Sequence, residues 1–294
     1  MSTTKKNTML IPVDFSPISI RALDHAVQLA RHFDNNLALL HVIEEAFFSS
    51  LFSFWQDEEK KKDIKAELRQ KMEALADDIK KKHAIECTVV IKEGKISKEI
   101  AETATELGCD SIIMGSSGAS GLEQLIGSNA SKTIMQAGVP VVVVKSDREV
   151  NAYKDIVFPL DLTMESRQKV KWAIYLAKSY KATIHIITYQ INDEDENIRM
   201  RAALKQITRM LEQNGVSYTE KILSKIETDF ALDTIAYAES IQADLIMIMS
   251  QQENSGLEDF IIGTEAQQLV NKSQNIPVMC IKPGKTGFTS EFAV

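Results

Sequence analysis

Cysteine is scarce in this chain, with three residues among 294. Cys87, Cys109 and Cys280 are odd in number and far apart, so they predict neither a disulfide framework nor a Cys/His metal site. Such a pattern is typical of reduced, structural thiols, and we therefore expect a cytoplasmic protein.

Long apolar runs and a surplus of positive charge are also missing. The first six residues are polar and only short apolar stretches follow, so we expect neither a signal peptide nor a membrane partner. The net charge is −7, and the lysine runs at 60–62 and 80–82 lie among acidic residues. Because nucleic-acid binders generally carry a basic patch, we expect no nucleic-acid partner.

Signatures of catalysis are missing as well. The five histidines are scattered, and no Cys/His set has the spacing of metal ligands. Ser116, Ser117 and Ser120 lie in a loop without a Gly-x-Ser-x-Gly elbow or an identifiable histidine partner. We therefore predict no catalytic residue and no metal site.

The most informative stretch runs from Cys109 to Lys145. It reads as an apolar strand, a glycine-rich loop, a helix that opens on Gly127-Ser128-Asn129, and a strand of valines. Glycines after a buried strand let the backbone approach a ligand, and a helix start favours an anion. Ser128 or Asn129 is placed to cap that helix. The stretch predicts a phosphate cradle, although its spacing is neither that of a Walker loop nor that of a dinucleotide fingerprint.

Strands and helices alternate along the first half of the chain. Short apolar strands begin near Thr8, Leu37 and Ile85, and helices with one apolar face lie between them. Ser16 is the predicted N-cap of the first helix, with Pro17 at its first position. This alternation predicts an α/β fold with a parallel sheet and helices on both faces.

The second half repeats the first. Phe158 to Asp161 echoes Ile11 to Asp14, Ile276 to Lys282 echoes Val139 to Lys145, and seven elements return in the same order. We therefore predict two copies of one domain. The predicted boundaries are residues 1–146 for the N-terminal domain, 153–283 for the C-terminal domain and 284–294 for a tail.

A strand order of 3-2-1-4-5 would place a ligand between strands one and four of each domain. Ligands bind beyond the carboxyl ends of parallel strands where the strand order reverses. Asp14 follows strand one, and the loop that begins at Gly115 follows strand four. Asp14 has two interpretations at this stage, as a cap for the nearby helix or as an acceptor for ribose hydroxyls.

These residues resemble the universal stress protein family in a tandem two-domain form. The resemblance rests on Pro12-Val13-Asp14, the pair Gly115-x-x-Gly118 and Gly127-Ser128, and it covers nearly the whole chain. It implies two flavodoxin-like (Rossmann-like) three-layer αβα domains, each with a five-stranded parallel sheet of order 3-2-1-4-5. It also implies that the N-terminal domain binds ATP or another adenine nucleotide, with or without Mg²⁺, and no flavin.

The resemblance assigns nucleotide-binding residues position by position. Pro12, Val13 and Asp14 would contact adenine and ribose, and Val42 would line the base pocket. The residues that would hold the phosphates and close the site are Met114, Gly115, Ser117, Gly118, Gly127, Ser128 and Asn129.

Two departures from the family pattern bear on the phosphates. Eight residues separate Gly118 from Gly127, one fewer than in the ATP-binding pattern, which shortens the phosphate loop. In the second copy, Met249-Ser250-Gln251-Gln252 replaces the loop glycines. We therefore predict a degenerate second site that retains Asp161, Gly263 and Thr264.

The resulting hypothesis is a stress-response regulator controlled by an adenine nucleotide. The alternatives are an interaction or assembly module without nucleotide, a slow ATPase, and an enzyme or flavin carrier on a similar sheet. The aromatic segment Phe47 to Trp55 is a candidate lid, docking patch or packing surface. The edge strands Val141–Val144 and Val278–Ile281 are predicted to pair as an intramolecular pseudo-dimer, and association of two chains into a homodimer stays open.

Overall fold

A computed structural model describes residues 7–33, 35–44, 58–116, 126–146, 148–163, 165–224, 229–250, 252–253, 261–262 and 264–283. The strands of the N-terminal half are β1 (Thr8–Pro12), β2 (Asn36–Ile43), β3 (Cys87–Glu93), β4 (Ser111–Gly115) and β5 (Val141–Val144). Its helices in these ranges are α1 (Pro17–Phe33), α2 (Glu58–His83), α3 (Ile96–Glu106) and α4 (Ser128–Gln136).

The C-terminal half repeats this alternation. Its strands are β6 (Asp155–Pro159), β7 (Thr183–Tyr189), β8 (Ser217–Leu223), β9 (Leu245–Met249), the short β10 (Gln252–Glu253) and β11 (Ile261–Ile262), and β12 (Val278–Ile281). Its helices are a 3-10 turn (Glu165–Arg167), α5 (Val170–Tyr180), α6 (Glu194–Gln213), α7 (Phe230–Ser240) and α8 (Thr264–Lys272).

One continuous ten-stranded sheet runs through both halves. Its order is β3-β2-β1-β4-β5-β12-β9-β6-β7-β8, so each half contributes five strands in the order 3-2-1-4-5, counted within that half. This confirms the predicted fold class. β5 and β12 are antiparallel neighbours, with Val143 opposite Val278. Each of these strands would otherwise be an exposed edge, and their pairing covers both.

Burial explains why the central strands are apolar on both faces. Leu10 and Ile11 point to opposite faces of β1, and neither is accessible to solvent. One face of the sheet packs against α1, α2, α5 and α6, and the other packs against α3, α4, α7 and α8. The molecule is thus a sheet between two helix layers, as the sequence predicts.

One of the two predicted helix N-caps is present in the structure and the other is not. Ser16 is the N-cap of α1, because its hydroxyl accepts the N–H of Ser19 at 3.3 Å. The predicted cap at Ser128 or Asn129 is wrong, since both residues lie inside α4 and Gly127 holds its N-cap position without a side-chain hydrogen bond. The first N–H groups of α4 therefore receive no side-chain cap.

The described residues bear on the predictions about the aromatic segment, membrane spans, metal sites and cysteines. Phe47 to Trp55 lies outside the described ranges. None of the helices within those ranges has the length and apolar character of a membrane span. The same part of the chain contains no group of His, Cys, Asp and Glu side chains that could hold a metal ion. The three cysteines are free thiols, and two of them are buried.

Candidate functional site

The candidate site lies where the strand order of the N-terminal half reverses. β1 and β4 pair at Met9–Ser111 and Leu10–Ile112, and the chain then leaves β1 toward β2 and leaves β4 toward β5. These connections diverge and leave a crevice at the carboxyl edge of the sheet. The predicted residues at this edge are Pro12, Val13, Asp14, Val42, Met114 and Gly115.

Asp14 closes a tight turn between β1 and α1. Its Oδ1 accepts the N–H of Ser16 at 3.0 Å and the hydroxyl of Ser16 at 2.5 Å. The N–H of Asp14 donates to the hydroxyl of Ser19 at 3.3 Å. The capping interpretation therefore accounts for one carboxylate oxygen. The hydroxyl of Ser19 and the N–H of Asp14 itself also stabilise the carboxylate.

The surroundings of Asp14 keep its carboxylate charged. Partial burial acts to raise its pKa, but hydrogen bonds from the side chain and backbone of Ser16, the hydroxyl of Ser19 and the backbone of Asp14 together outweigh this, and the pKa lies below its usual value. A carboxylate with a low pKa is a good hydrogen-bond acceptor at neutral pH and a poor general base. Asp14 is thus suited to binding hydroxyl groups.

Phe15 and His41 form an aromatic surface beside Asp14 that sequence reasoning missed. Phe15 adopts a left-handed backbone conformation (φ 62°), and its side chain is 37% exposed. Its ring centroid lies 5.5 Å from that of His41, whose Nδ1 is 2.6 Å from the carbonyl oxygen of Val13. A large apolar residue directly after the strand-ending aspartate was the available signal. Such a ring offers a stacking surface for a flat base.

Gly115 ends β4 in close contact with the first turn of α1. A Cβ atom at this position would lie 2.9 Å from Cγ1 of Ile18 and 3.0 Å from its carbonyl oxygen. Close packing between strand and helix therefore requires glycine here, independently of any ligand. The contact holds the start of α1, and with it Asp14, against the end of β4.

The glycine loop is closed at its base, and α4 begins directly after it. The N–H of Gly127 donates to the carbonyl of Ser116 at 2.7 Å. Ser128 is exposed and Asn129 is partly exposed, and the uncapped helix start favours an anion near these residues. Ser117 and Gly118, the predicted phosphate contacts within the loop, lie outside the described residues.

The C-terminal half keeps the aspartate turn but not the glycine. Oδ1 of Asp161 accepts the N–H of Thr163 at 2.9 Å and its hydroxyl at 2.5 Å. Met249 replaces Gly115, because Gly115 pairs with Val144 and Met249 pairs with Ile281 at the same point of the repeat. Gly263 and the side chain of Thr264 lie outside the described residues.

A buried lysine lies beneath the C-terminal crevice. Lys169 occupies the repeat position of Ala22, and the two are 3% and 0% exposed. Its Nζ donates to the carbonyl of Pro159 at 2.5 Å and to the hydroxyl of Ser166 at 3.0 Å, and it lies 4.6 Å from the centroid of the Phe158 ring. Sequence reasoning missed this residue, although a lysine at an apolar position of the repeat was visible.

A cavity of about 220 Å³ lies at the opposite edge of the sheet, between the two halves. Its lining includes Asn7 and Asp110 at the amino ends of β1 and β4, together with Tyr153 and Trp172. None of the predicted nucleotide-binding residues within the described ranges lines it. The cavity is therefore separate from the candidate site.

Comparison with known families identifies the repeated unit. Residues 6–145 and 152–282 each match the model of the universal stress protein family. The chain belongs to this family. It is 32% identical to universal stress protein MJ0531 of Methanocaldococcus jannaschii over 48% of this chain and 83% of that protein. It is 33% identical to universal stress protein YxiE of Bacillus subtilis over 47% of this chain and 99% of that protein. Each relative covers about half of the chain, as expected for a tandem universal stress protein.

Solved structures share the fold across both halves. A universal stress protein from Archaeoglobus fulgidus superposes with a TM-score of 0.75 and 22% identity, covering 96% of this chain and all of that one. A structure from Pseudomonas aeruginosa, titled a putative universal stress protein, superposes with a TM-score of 0.61 and 17% identity over 95% of this chain and 94% of its own. These matches support the arrangement of two joined α/β units.

Proposed function

We propose that the N-terminal half binds ATP or a related adenine nucleotide and that binding regulates a stress response. The observation that carries the proposal is the meeting of two complementary groups at one crevice. The anionic Asp14 is an acceptor for hydroxyls at the end of β1, and the uncapped start of α4 favours phosphate. Membership of the universal stress protein family supports the same assignment.

The proposed roles follow from the position of each residue. Asp14 accepts the ribose hydroxyls, while Pro12, Val13 and Val42 contact the base, which Phe15 flanks. The phosphate side comprises Met114, Gly115, Ser117, Gly118, Gly127, Ser128 and Asn129. Mg²⁺ would be held mainly by the phosphates, since the described residues provide no preformed metal cluster.

The C-terminal half is proposed to be structural or regulatory. Its Met249 places a side chain where the phosphate strand of the first half ends in glycine, and Asp161 lacks a glycine-lined partner. We propose domains at 1–146 and 153–283, with a tail at 284–294, joined as a pseudo-dimer through β5 and β12. The free thiols favour a cytoplasmic location. Assembly into a homodimer would extend the pseudo-dimer.

The proposed mechanism is a population shift. Nucleotide binding would order the Gly115 to Ser128 segment and so alter a surface that a partner recognises. A slow ATPase activity is the weaker candidate, because Asp14 is a poor general base. An interaction module without nucleotide is the remaining alternative.

Mass spectrometry of small molecules released from the purified protein tests nucleotide binding. We expect an adenine nucleotide with the wild type and its loss in Gly118→Arg, which places a bulky side chain in the loop. Titration with ATP then compares Asp14→Asn with Asp161→Asn, a matched change in the second half. A loss of affinity confined to Asp14→Asn supports the proposed site. Failure of the wild type to bind ATP at millimolar concentration would leave the interaction module as the better function.

A further inference from the structure

The side chain of Asn271 joins the C-terminal half to the end of the glycine loop. Asn271 lies in the last turn of α8, and its Oδ1 accepts the N–H of Ile126 at 2.6 Å. Ile126 directly precedes Gly127, whose own N–H is bonded to Ser116. The two consecutive N–H groups before α4 are therefore both fixed, one from within the N-terminal half and one from the other half.

The same helix end is held from the N-terminal half. Nζ of Lys145 donates to the carbonyl oxygen of Asn271 at 2.7 Å, and the carbonyl of Lys145 accepts Nη1 of Arg21 at 3.4 Å. A cation near the carboxyl end of a helix is electrostatically favourable. Lys145 follows β5, beside the strand that leads into the loop. These bonds fix Asn271 where its side chain meets the Ile126 amide.

The repeat position of Asn271 carries a different side chain in the N-terminal half. Met135 of α4 stands at the repeat position of Asn271 and is 2% exposed. A thioether is a weak acceptor, whereas an amide oxygen accepts a backbone N–H well. The repeat therefore places a strong acceptor only on the half whose own loop has lost its glycines.

We propose that Asn271 is a positioning residue through which the C-terminal half fixes the end of the glycine loop and the start of α4. The hydrogen bond between the Ile126 N–H and Asn271 orients the chain just before the N–H groups that would face the phosphates. Preorganising this segment reduces the cost of ordering it when a ligand binds. The consequence for affinity rests on the proposed nucleotide function, and it gives the second half a role in a site that it does not contain.

Hydrogen exchange and ATP titration of the full chain test this proposal together. Asn271→Met copies the residue of the other half and retains much of the side-chain volume, and Asn271→Ala repeats the test without the bulk. Lys272→Met, an exposed neighbour on the same helix, is the control. We expect roughly tenfold faster exchange of the Ile126 amide and roughly tenfold weaker ATP binding in both Asn271 variants, a change of about 1.4 kcal/mol.

The outcomes separate this proposal from the nucleotide function. Unchanged exchange at Ile126 would overturn the positioning role, and so would faster exchange with unchanged ATP affinity. If the wild type binds no ATP while Ile126 exchanges faster in the variants, the nucleotide function fails and the positioning of the loop by Asn271 stands.

Discussion

The two halves of the sheet share a strand order but begin their first helices differently. α1 starts at Pro17, three residues after Asp14, whereas α5 starts at Val170, nine residues after Asp161. The described residues of the intervening segment in the C-terminal half form a 3-10 turn at Glu165–Arg167. Gly115 lets the first turn of α1 pack against β4, and Met249 replaces it in β9. The close contact between helix and strand end thus occurs in the half that has glycine at the strand end, and the later helix start occurs in the half that has methionine there.

The largest effect on stability should come from substitutions at two equivalent buried positions, Ala22 and Lys169. Ala22→Lys forces a long charged side chain into a fully buried position. Ser19, the counterpart of Ser166, already bonds to the N–H of Asp14 and the carbonyl of Ser16, so we expect a loss of more than about 4 kcal/mol of stability. Lys169→Met keeps the packed stem and should change stability by less than about 1 kcal/mol. Urea unfolding measures both variants. A tolerated Ala22→Lys would show that the N-terminal half also has room for an amine.

The next largest effect is the pH dependence of stability that His25 causes. The repeat position of His25 in the C-terminal half is Trp172. Burial lowers the pKa of His25 to about 4, and its Nε2 lies 2.9 Å from the hydroxyl of Tyr153. The unfolded state therefore binds more protons below pH 6.5, so the contribution of His25 is present above that pH and is lost as pH falls to about 4. The full loss is about 3 kcal/mol.

His25→Gln isolates this contribution, because glutamine can still bond to Tyr153 but does not titrate. Chemical unfolding at a series of pH values should show the wild type losing stability relative to His25→Gln between pH 6.5 and pH 4. Parallel pH profiles of the two proteins would mean that His25 reaches solvent in the folded state.

A smaller effect is expected when a single carbon is added at Gly115. Gly115→Ala forces Cβ against the backbone of Ile18, so we expect a loss of about 1–3 kcal/mol and weaker nucleotide binding, since α1 carries Asp14 with it. Gly138→Ala is the matched control, because nothing lies within 4 Å of its Cβ position. Unfolding curves of the two variants compare them. Equal stability would show that α1 adjusts freely and that Gly115 serves the ligand alone.

The repeat explains which of these features the sequence could reveal. Apolar runs such as Ile112 to Met114 and the restart at Phe158 predict the sheet, its order and the paired edges, because burial on both faces leaves a strong pattern. The placement of Asp14 at the crevice follows from the same rules. The open start of α4 was misjudged, since local propensity favours Ser128 as a cap whereas the chain path makes Gly127 the N-cap. The Asn271 bond depends on tertiary contact between halves, which periodicity does not encode.

The smallest effect on stability is expected at the starts of α3 and α7, which are equivalent helices on the same face of the sheet. Asp229 caps α7 by accepting the N–H of Leu232 at 2.7 Å, whereas Lys95 holds the same position in α3 without a side-chain cap. Asp229→Ala should lower stability by about 1 kcal/mol, and Lys95→Asp should raise it by up to about 1 kcal/mol. Urea unfolding resolves both changes, with Lys205→Ala, at an exposed lysine of α6, as a control away from both helix starts. The backbone of Lys95 already has the extended conformation of an N-cap (φ −78°, ψ 120°), so a stabilising aspartate there would show that the halves differ only in the side chain. A destabilising one would mean that the positive charge of Lys95 is needed at that helix start.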